Sequence, residues 1–385
     1  VILAGLALFV VASLLCGVTT APWQLFAARA LQGIGAALVS PNALSALLRV
    51  FDDEKSRGRA LGLWASVASA GAIAGQLLGG VLTDLAGWRS IFLINVPVGV
   101  VALLGLRRAL PALPGSGAGR PALPNALLLV TVVGGGSLVL AAANGGWSSG
   151  LTAVVVVLVV LAVALVVAES RSRRPLLEPG LLRQRGVVVG NTVLALNVAT
   201  VTTALYVTSL VLQNELGFSA MQTGLAFAPI TAIVLLVSPK AGAAVATVGA
   251  RPLLVGAGIA TTAGVALLTA FAERGYLVGV LPGLALVALG SGLGYAPMFA
   301  LATGVDDRLK GAASGLVTTV QELGAAVGLA ALTSLGLVLA TSAQNGTTTY
   351  LVAALASLLA TLVALAAGPA RETDPISEPE REPAT

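Results

Sequence analysis

Histidine is absent from this sequence, and cysteine occurs once, at Cys16. A Ser-His-Asp triad, a histidine metal site, an intrachain disulfide and a histidine proton relay are thereby excluded, and most enzymatic chemistry goes with them. Charge is almost as scarce. Asp, Glu, Lys and Arg make up 10% of the 385 residues, against about 25% in a soluble domain. Aromatic residues are 4%, too few to mark a substrate site by composition.

What is present is apolar surface. Hydrophobic residues are 57% of the chain and the mean hydropathy is +0.98, more than one globular core can hide. The chain reads as an all-α polytopic membrane protein. In a soluble chain a net charge of +5 would suggest nucleic acid. Here the basic residues sit in short connectors between apolar runs, so they read as topology signals and no nucleic-acid partner is expected. Val1 lies inside an apolar run with no basic segment ahead of it. A signal peptide is therefore not expected; the chain is expected to begin part-way through a longer protein.

A transmembrane helix needs about 20 mostly apolar residues. Twelve runs meet that standard, at roughly 1–19, 23–48, 59–83, 90–106, 123–143, 150–168, 187–212, 223–246, 252–271, 276–303, 312–339 and 349–367. Connectors after even-numbered runs, with the C-terminal tail, hold 18 of the 21 Lys and Arg residues. By the positive-inside rule these connectors and the tail are cytoplasmic. Trp23, Trp88 and Trp147 then fall at the outer interface, where amphipathic rings settle. The tail from Gly368 is rich in Pro and Glu and reads as disordered.

The third run carries GLWASVASAGAIAGQLLGG, with glycines at Gly62, Gly71, Gly75, Gly79 and Gly80. On a helix Gly71, Gly75 and Gly79 share one face and permit close backbone approach. Arg57–Gly75 aligns with Lys310–Gly328 at eight of nineteen positions, including Gly62/Gly315, Gly71/Gly324 and Gly75/Gly328. Upstream of each, a Gly-x-Gly precedes a proline and an acidic pair: Gly33 and Gly35 before Pro41, Gly290 and Gly292 before Pro297. The third and eleventh runs are thus equivalent helices in two parallel halves. Six helices from the seventh run onward make the second half, in which the eleventh is fifth. The third run is then the fifth helix of the first half, and two helices are expected upstream of Val1. The organisation expected is 1–108 for the remaining third to sixth helices, 109–186 for a linker and extra hairpin, 187–367 for the six-helix bundle, and 368–385 for the tail.

These residues resemble the fourteen-helix drug:proton antiporter family of the major facilitator superfamily. ARALQGIGAAL (Ala28–Leu38) is similar to its fourth-helix motif, through Arg29, Gln32, Gly33 and Gly35. Gly62–Gly80 is similar to its fifth-helix antiporter motif, with Gln76 where a proline usually follows the third glycine. GWRSIFLINVPVG (Gly87–Gly99) and GFSAMQTGLAFAP (Gly217–Pro229) are similar to further signatures. The resemblance implies an inner-membrane exporter of amphiphilic or cationic compounds. It implies exchange for protons by alternating access, action as a monomer, no enzymatic activity and no cofactor. A facilitator or importer of another solute on the same fold is the nearest alternative; a membrane scaffold or enzyme is the remote one.

Candidate residues follow. Arg29 lies within a run, where a charge is costly unless paired or facing water. It is expected to exchange partners during proton transfer with Gln32 orienting it, or else to form an ion pair or snorkel. Glu322, deep in the eleventh run, either titrates or stays protonated and bonds a neighbouring helix. Asp84 is expected to pair with Arg89 or cap its turn. Gly62, Gly71, Gly75, Gly79 and Gly80 are expected to pack helix on helix. Asn197, Thr200 and Thr208 share a face of the seventh run and Tyr295 and Phe299 one of the tenth. By family analogy these line the substrate cavity, with polar bonds between helices as the other reading of the first three.

Overall fold

The computed structural model describes residues 1–50, 64, 67, 71, 75, 78–109, 123–143, 149–172, 179–306, 309–339 and 345–366. Every regular element among them is helical. This is what a bilayer demands of an apolar chain, because a helix satisfies its own backbone without water. We label the helices α1 (Ile2–Val18), α2 (Pro22–Val50), α3 (residues 78–86, with Trp64, Val67, Gly71 and Gly75 helical upstream), α4 (Ser90–Leu93), α5 (Asn95–Ala109), α6 (Leu123–Ala143) and α7 (Ser149–Arg171). There follow α8 (Pro179–Arg183), α9 (Arg185–Leu210), α10 (Ala220–Val248), α11 (Ala250–Phe271), α12 (Leu281–Thr303), α13 (Lys310–Leu339) and α14 (Asn345–Ala366).

Among the described residues eight helices are long and apolar enough to cross a membrane, α4 and α5 counting as one span. Of the twelve runs read from the sequence, those of α1, α2, α3 and α6 are not among the eight, α1 falling short at 17 residues. Gly62 and Gln76 of the third run, Trp147, and the tail lie outside the described residues. Trp23 and Trp88 are exposed, as ring anchors at an interface should be.

Helix ends are set by local chemistry. Ser219 and Gln222 open α10 with a capping box, the Ser219 hydroxyl accepting from the Gln222 amide and the Gln222 side chain from the Ser219 amide. Gly249, at φ +84°, separates α10 from α11 in a conformation that L side chains rarely adopt. The end of α14 receives two cations: Arg185 donates to the Ala366 carbonyl at 2.6 Å and Arg251 to that of Leu365, satisfying carbonyls that the helix leaves free.

The packed core sits in the C-terminal bundle. There α9 packs on α12, α13 and α14, α11 on α12 and α14, and α10 on α12. Tyr350 is the largest fully buried side chain. In the N-terminal part α1 packs on α2, α4 and α5. The pair α6 and α7 pack on each other, and α6 also reaches α13. At the base of that hairpin Asn125 donates to Glu169 at 2.7 Å. None of the α7 span is buried, and its valines face outward as a lipid-exposed surface would.

Helices cross where side chains are missing. Gly5 of α1 meets Gly35 and Leu38 of α2, and a Cβ at Gly35 would lie 2.7 Å from the Phe9 amide nitrogen. In α12 a Cβ at Gly290 would lie 2.6 Å from the Ala257 carbonyl oxygen and 2.8 Å from the Thr261 nitrogen of α11. The Thr261 hydroxyl is nearer still and could turn aside, but the α11 backbone behind it cannot. Gly290→Val is therefore expected to destabilise the fold by about 1–3 kcal/mol or more. Gly256→Ala on α11, where a Cβ meets no atom within 4 Å, should be neutral or stabilising by up to ~1 kcal/mol. Thermal unfolding of the detergent-solubilised protein distinguishes the two.

Candidate functional site

Arg29 and Gln32 stand one turn apart on α2, and the structure joins them. The Arg29 guanidinium donates to Gln32 Oε1 at 2.6 Å, and Gln32 Nε2 donates to Ser13 Oγ of α1 at 2.7 Å. The Ser13 hydroxyl in turn donates to the Phe9 carbonyl at 2.7 Å. Gln32 is 3% exposed and Ser13 fully buried, whereas Arg29 is exposed. A buried amide and hydroxyl thus hold one end of a chain whose other end is a charge open to its surroundings. Phe92 of α4 supports the charge from the side, with the guanidinium carbon 5.8 Å from its ring centroid, a cation–π distance.

Across the molecule Tyr295 and Phe299 stack on α12 with ring centroids 5.0 Å apart. The Tyr295 hydroxyl lies near the Gln321 side chain and the Glu322 carboxylate of α13, both close enough to act on it. Glu322 is exposed. It lies about 200° around α13 from Gly324, away from the face that meets α9. An acid, an amide and two stacked rings are thereby brought together from two helices.

The polar face of α9 is turned the other way. Asn197, Thr200 and Thr208 are buried. Thr208 shares a 2.7 Å hydrogen bond with the Tyr350 hydroxyl, and Thr200 donates to the Leu196 carbonyl at 2.8 Å and reaches the Ala353 carbonyl at 3.4 Å. These threonines join α9 to α14 inside the bundle, the interhelix reading of that face. Periodicity placed them on one face but gave no information on which neighbour that face meets.

The glycine stripe is described only in part. A Cβ at Gly71, Gly75 or Gly79 meets no described atom within 4 Å, and Gly62 lies outside the described residues. Only Gly80 is in tight contact, its Cβ position 2.6 Å from the Ala220 carbonyl oxygen of α10. The downstream counterparts behave otherwise: Gly324 and Gly328 press on Ala195 and Ala199 of α9, while Gly315 is open. Asp84 does not pair with Arg89. Its Oδ2 accepts from Ser219 Oγ at 3.2 Å and from the Met221 amide at 3.1 Å, both at the start of α10. Arg89 instead donates twice to the Thr19 carbonyl at the end of α1 and lies over the Trp88 ring at 4.6 Å.

Four partners were not foreseen: Ser13, Phe92, Ser219 and Gln321. Ser219 carried a legible signal, since Ser-x-x-Gln before an apolar run announces a helix start. The other three owe their roles to helix crossings, which sequence spacing does not encode. If the Arg29–Gln32–Ser13 chain acts as a unit, Gln32→Leu and Ser13→Ala should each destabilise by about 1–3 kcal/mol. The double variant should depart from additivity by at least ~0.5 kcal/mol. Additive shifts in thermal unfolding would refute the coupling.

Comparison with known proteins places this geometry. The model of the Major Facilitator Superfamily matches residues 1–329. The cephamycin export protein CmcT of Amycolatopsis lactamdurans is 35% identical over 342 residues, 86% of this chain and 70% of that protein. The multidrug resistance protein Stp of Mycobacterium tuberculosis is 35% identical over 86% of this chain, which spans 62% of its length. The puromycin resistance protein pur8 of Streptomyces alboniger is 36% identical, with 89% and 70% covered. In structure, the human organic anion transporter MFSD10 superposes with a TM-score of 0.67 at 15% identity, over 94% of this chain and 76% of that one; this likeness concerns the fold. With its all-helical membrane architecture and these matches, the chain belongs to the Major Facilitator Superfamily.

Proposed function

We propose that this chain is the greater part of a drug exporter. It would move amphiphilic or cationic organic compounds out of the cell in exchange for protons, by alternating access between two helix bundles. The observation that carries export is the agreement among relatives: a cephamycin exporter, a multidrug resistance protein and a puromycin resistance protein, each 35–36% identical along most of the chain. Proton coupling is supported by Arg29. Its charge lies within the long helix α2, tethered to Gln32 by one hydrogen bond, faced by the Phe92 ring and otherwise exposed. A guanidinium held by a single side-chain hydrogen bond can change partners without disturbing a packed core. Glu322 beside Tyr295 and Phe299 offers a carboxylate and an aromatic face, a combination suited to an organic cation.

The two-half reading assigns α1, α2, α3 and the α4–α5 span to the first half and α9–α14 to the second, with α6 and α7 as the inserted hairpin. The packing supports it: α1 packs on α2 and α5 as α11 packs on α12 and α14. On this reading Gly71 and Gly75 hold the places of Gly324 and Gly328, and a first-half counterpart of α9 would cover them. The C-terminus is cytoplasmic, and one copy suffices for transport.

The complete protein, expressed in cells loaded with a fluorescent cationic dye, should extrude the dye. A proton uncoupler should abolish the efflux. Arg29→Ala should lower it at least about tenfold, the loss of one charge-assisted contact, at unchanged membrane abundance. Efflux that persists with the uncoupler would overturn the coupling, and no efflux at all would favour another solute.

A further inference from the structure

α3 and α10 belong to different halves, and they are joined by two contacts one helix turn apart. Gly80 brings the α3 backbone against Ala220 and Met221, with a Cβ position 2.6 Å from the Ala220 oxygen and 3.0 Å from the Met221 Cα. Asp84, four residues on, stands over the same face and accepts from Ser219 Oγ and the Met221 amide.

The first amides of a helix have no partner within it. In α10 the Gln222 amide is served by Ser219 of its own cap, while the Met221 amide is served by a carboxylate from the other half of the molecule. That carboxylate also sits at the positive end of the α10 dipole, where negative charge is stabilising. Arg89, the nearby cation, is turned to the Thr19 carbonyl and leaves the charge of Asp84 to α10. Asp84 and Ser219 are both exposed, so water can replace each bond when the helices part. The contact therefore has the strength of one helix cap and can be remade.

We propose that Asp84 is the clasp of the outer gate: a positioning residue whose carboxylate, by capping α10 across the two halves, holds the transporter closed on the side away from the cytoplasm. Gly80 lets the clasp close, and outward opening requires its release. This rests on the alternating-access reading and on the topology that puts Asp84 and Ser219 outside.

The test uses the complete protein with Cys16→Ser, whose thiol is buried, and Ala220→Cys as reporter. Labelling by a membrane-impermeant maleimide is measured on intact cells and on inverted vesicles. Asp84→Ala should raise the labelling rate of position 220 in intact cells about fivefold, the factor expected for loss of one cap. Asp84→Asn, which keeps an acceptor oxygen and loses the charge, should fall between. Gly80→Val should raise labelling by prying the helices apart. Thr83→Ala, whose hydroxyl bonds only the Gly79 carbonyl of its own helix, should leave it unchanged. If Gly80→Val raises labelling and Asp84→Ala does not, packing alone closes the gate and the proposal fails. If neither changes it on either side, the proposal also fails. A rise confined to inverted vesicles refutes an outer gate by reversing the topology. A rise in intact cells without dye efflux upholds the clasp and counts against the export reading.

Discussion

Lipid tails are as apolar as leucine, so no hydrophobic force draws one membrane helix to another. What remains is dispersion at short range, and short range is reached only where side chains are absent. The fold depends on that constraint. At Gly5 and Gly35, at Gly264 against Gly283, at Gly290, and at Gly324 and Gly328, a methyl group would collide with a neighbouring helix, usually with its backbone. The bundle is held at these crossings, and the leucines and valines elsewhere fill the spaces the crossings leave. Glycine costs a soluble helix stability; here it supplies the contact.

Polar groups do a different task against the same background. Many are matched to a partner on another helix or on their own preceding turn, as Gln32 is to Ser13, Thr208 to Tyr350 and Thr262 to Ser357, while the buried hydroxyls of Thr203 and Thr261 have none among the described residues. In hydrocarbon a missed partner is not replaced by water, so these bonds fix rotation about the helix axis more than they add stability. The exposed charges Arg29 and Glu322 then project from helices whose orientation is already determined. Packing positions them, and their freedom to change partners is not spent on holding the fold.

Much of the architecture was legible in the chain. Run length and the distribution of Lys and Arg follow from bilayer thickness and insertion chemistry, which act on local sequence. The pairing of Arg29 with Gln32 was legible because a helix puts residues three apart on one side. The two readings left open for Thr200 and Thr208, a cavity lining or bonds between helices, have the same root as that success. Periodicity gives a face, but whether the face meets a cavity or a neighbouring helix is decided by tertiary contact. Asp84 shows this most clearly: its sequence neighbour Arg89 was the obvious partner, and helix ends 135 residues apart in the chain proved closer to its carboxylate. The glycines of the third run and their downstream counterparts share a pattern, yet Gly324 and Gly328 are pressed on α9 while Gly71 and Gly75, at the matching positions, meet no described atom within 4 Å.

The two arginines at the end of α14 have a mechanical meaning. Arg185 opens α9 and Arg251 lies at the start of α11, yet both donate to the last carbonyls of the final helix. Three strands of a rope are in effect knotted at one end. Tension arriving along the chain ahead of Arg185 is shared by α9, α11 and α14 at once. It loads the whole bundle as a lever arm and does not peel away a single helix. The two arginines thus stiffen the C-terminal bundle at one end.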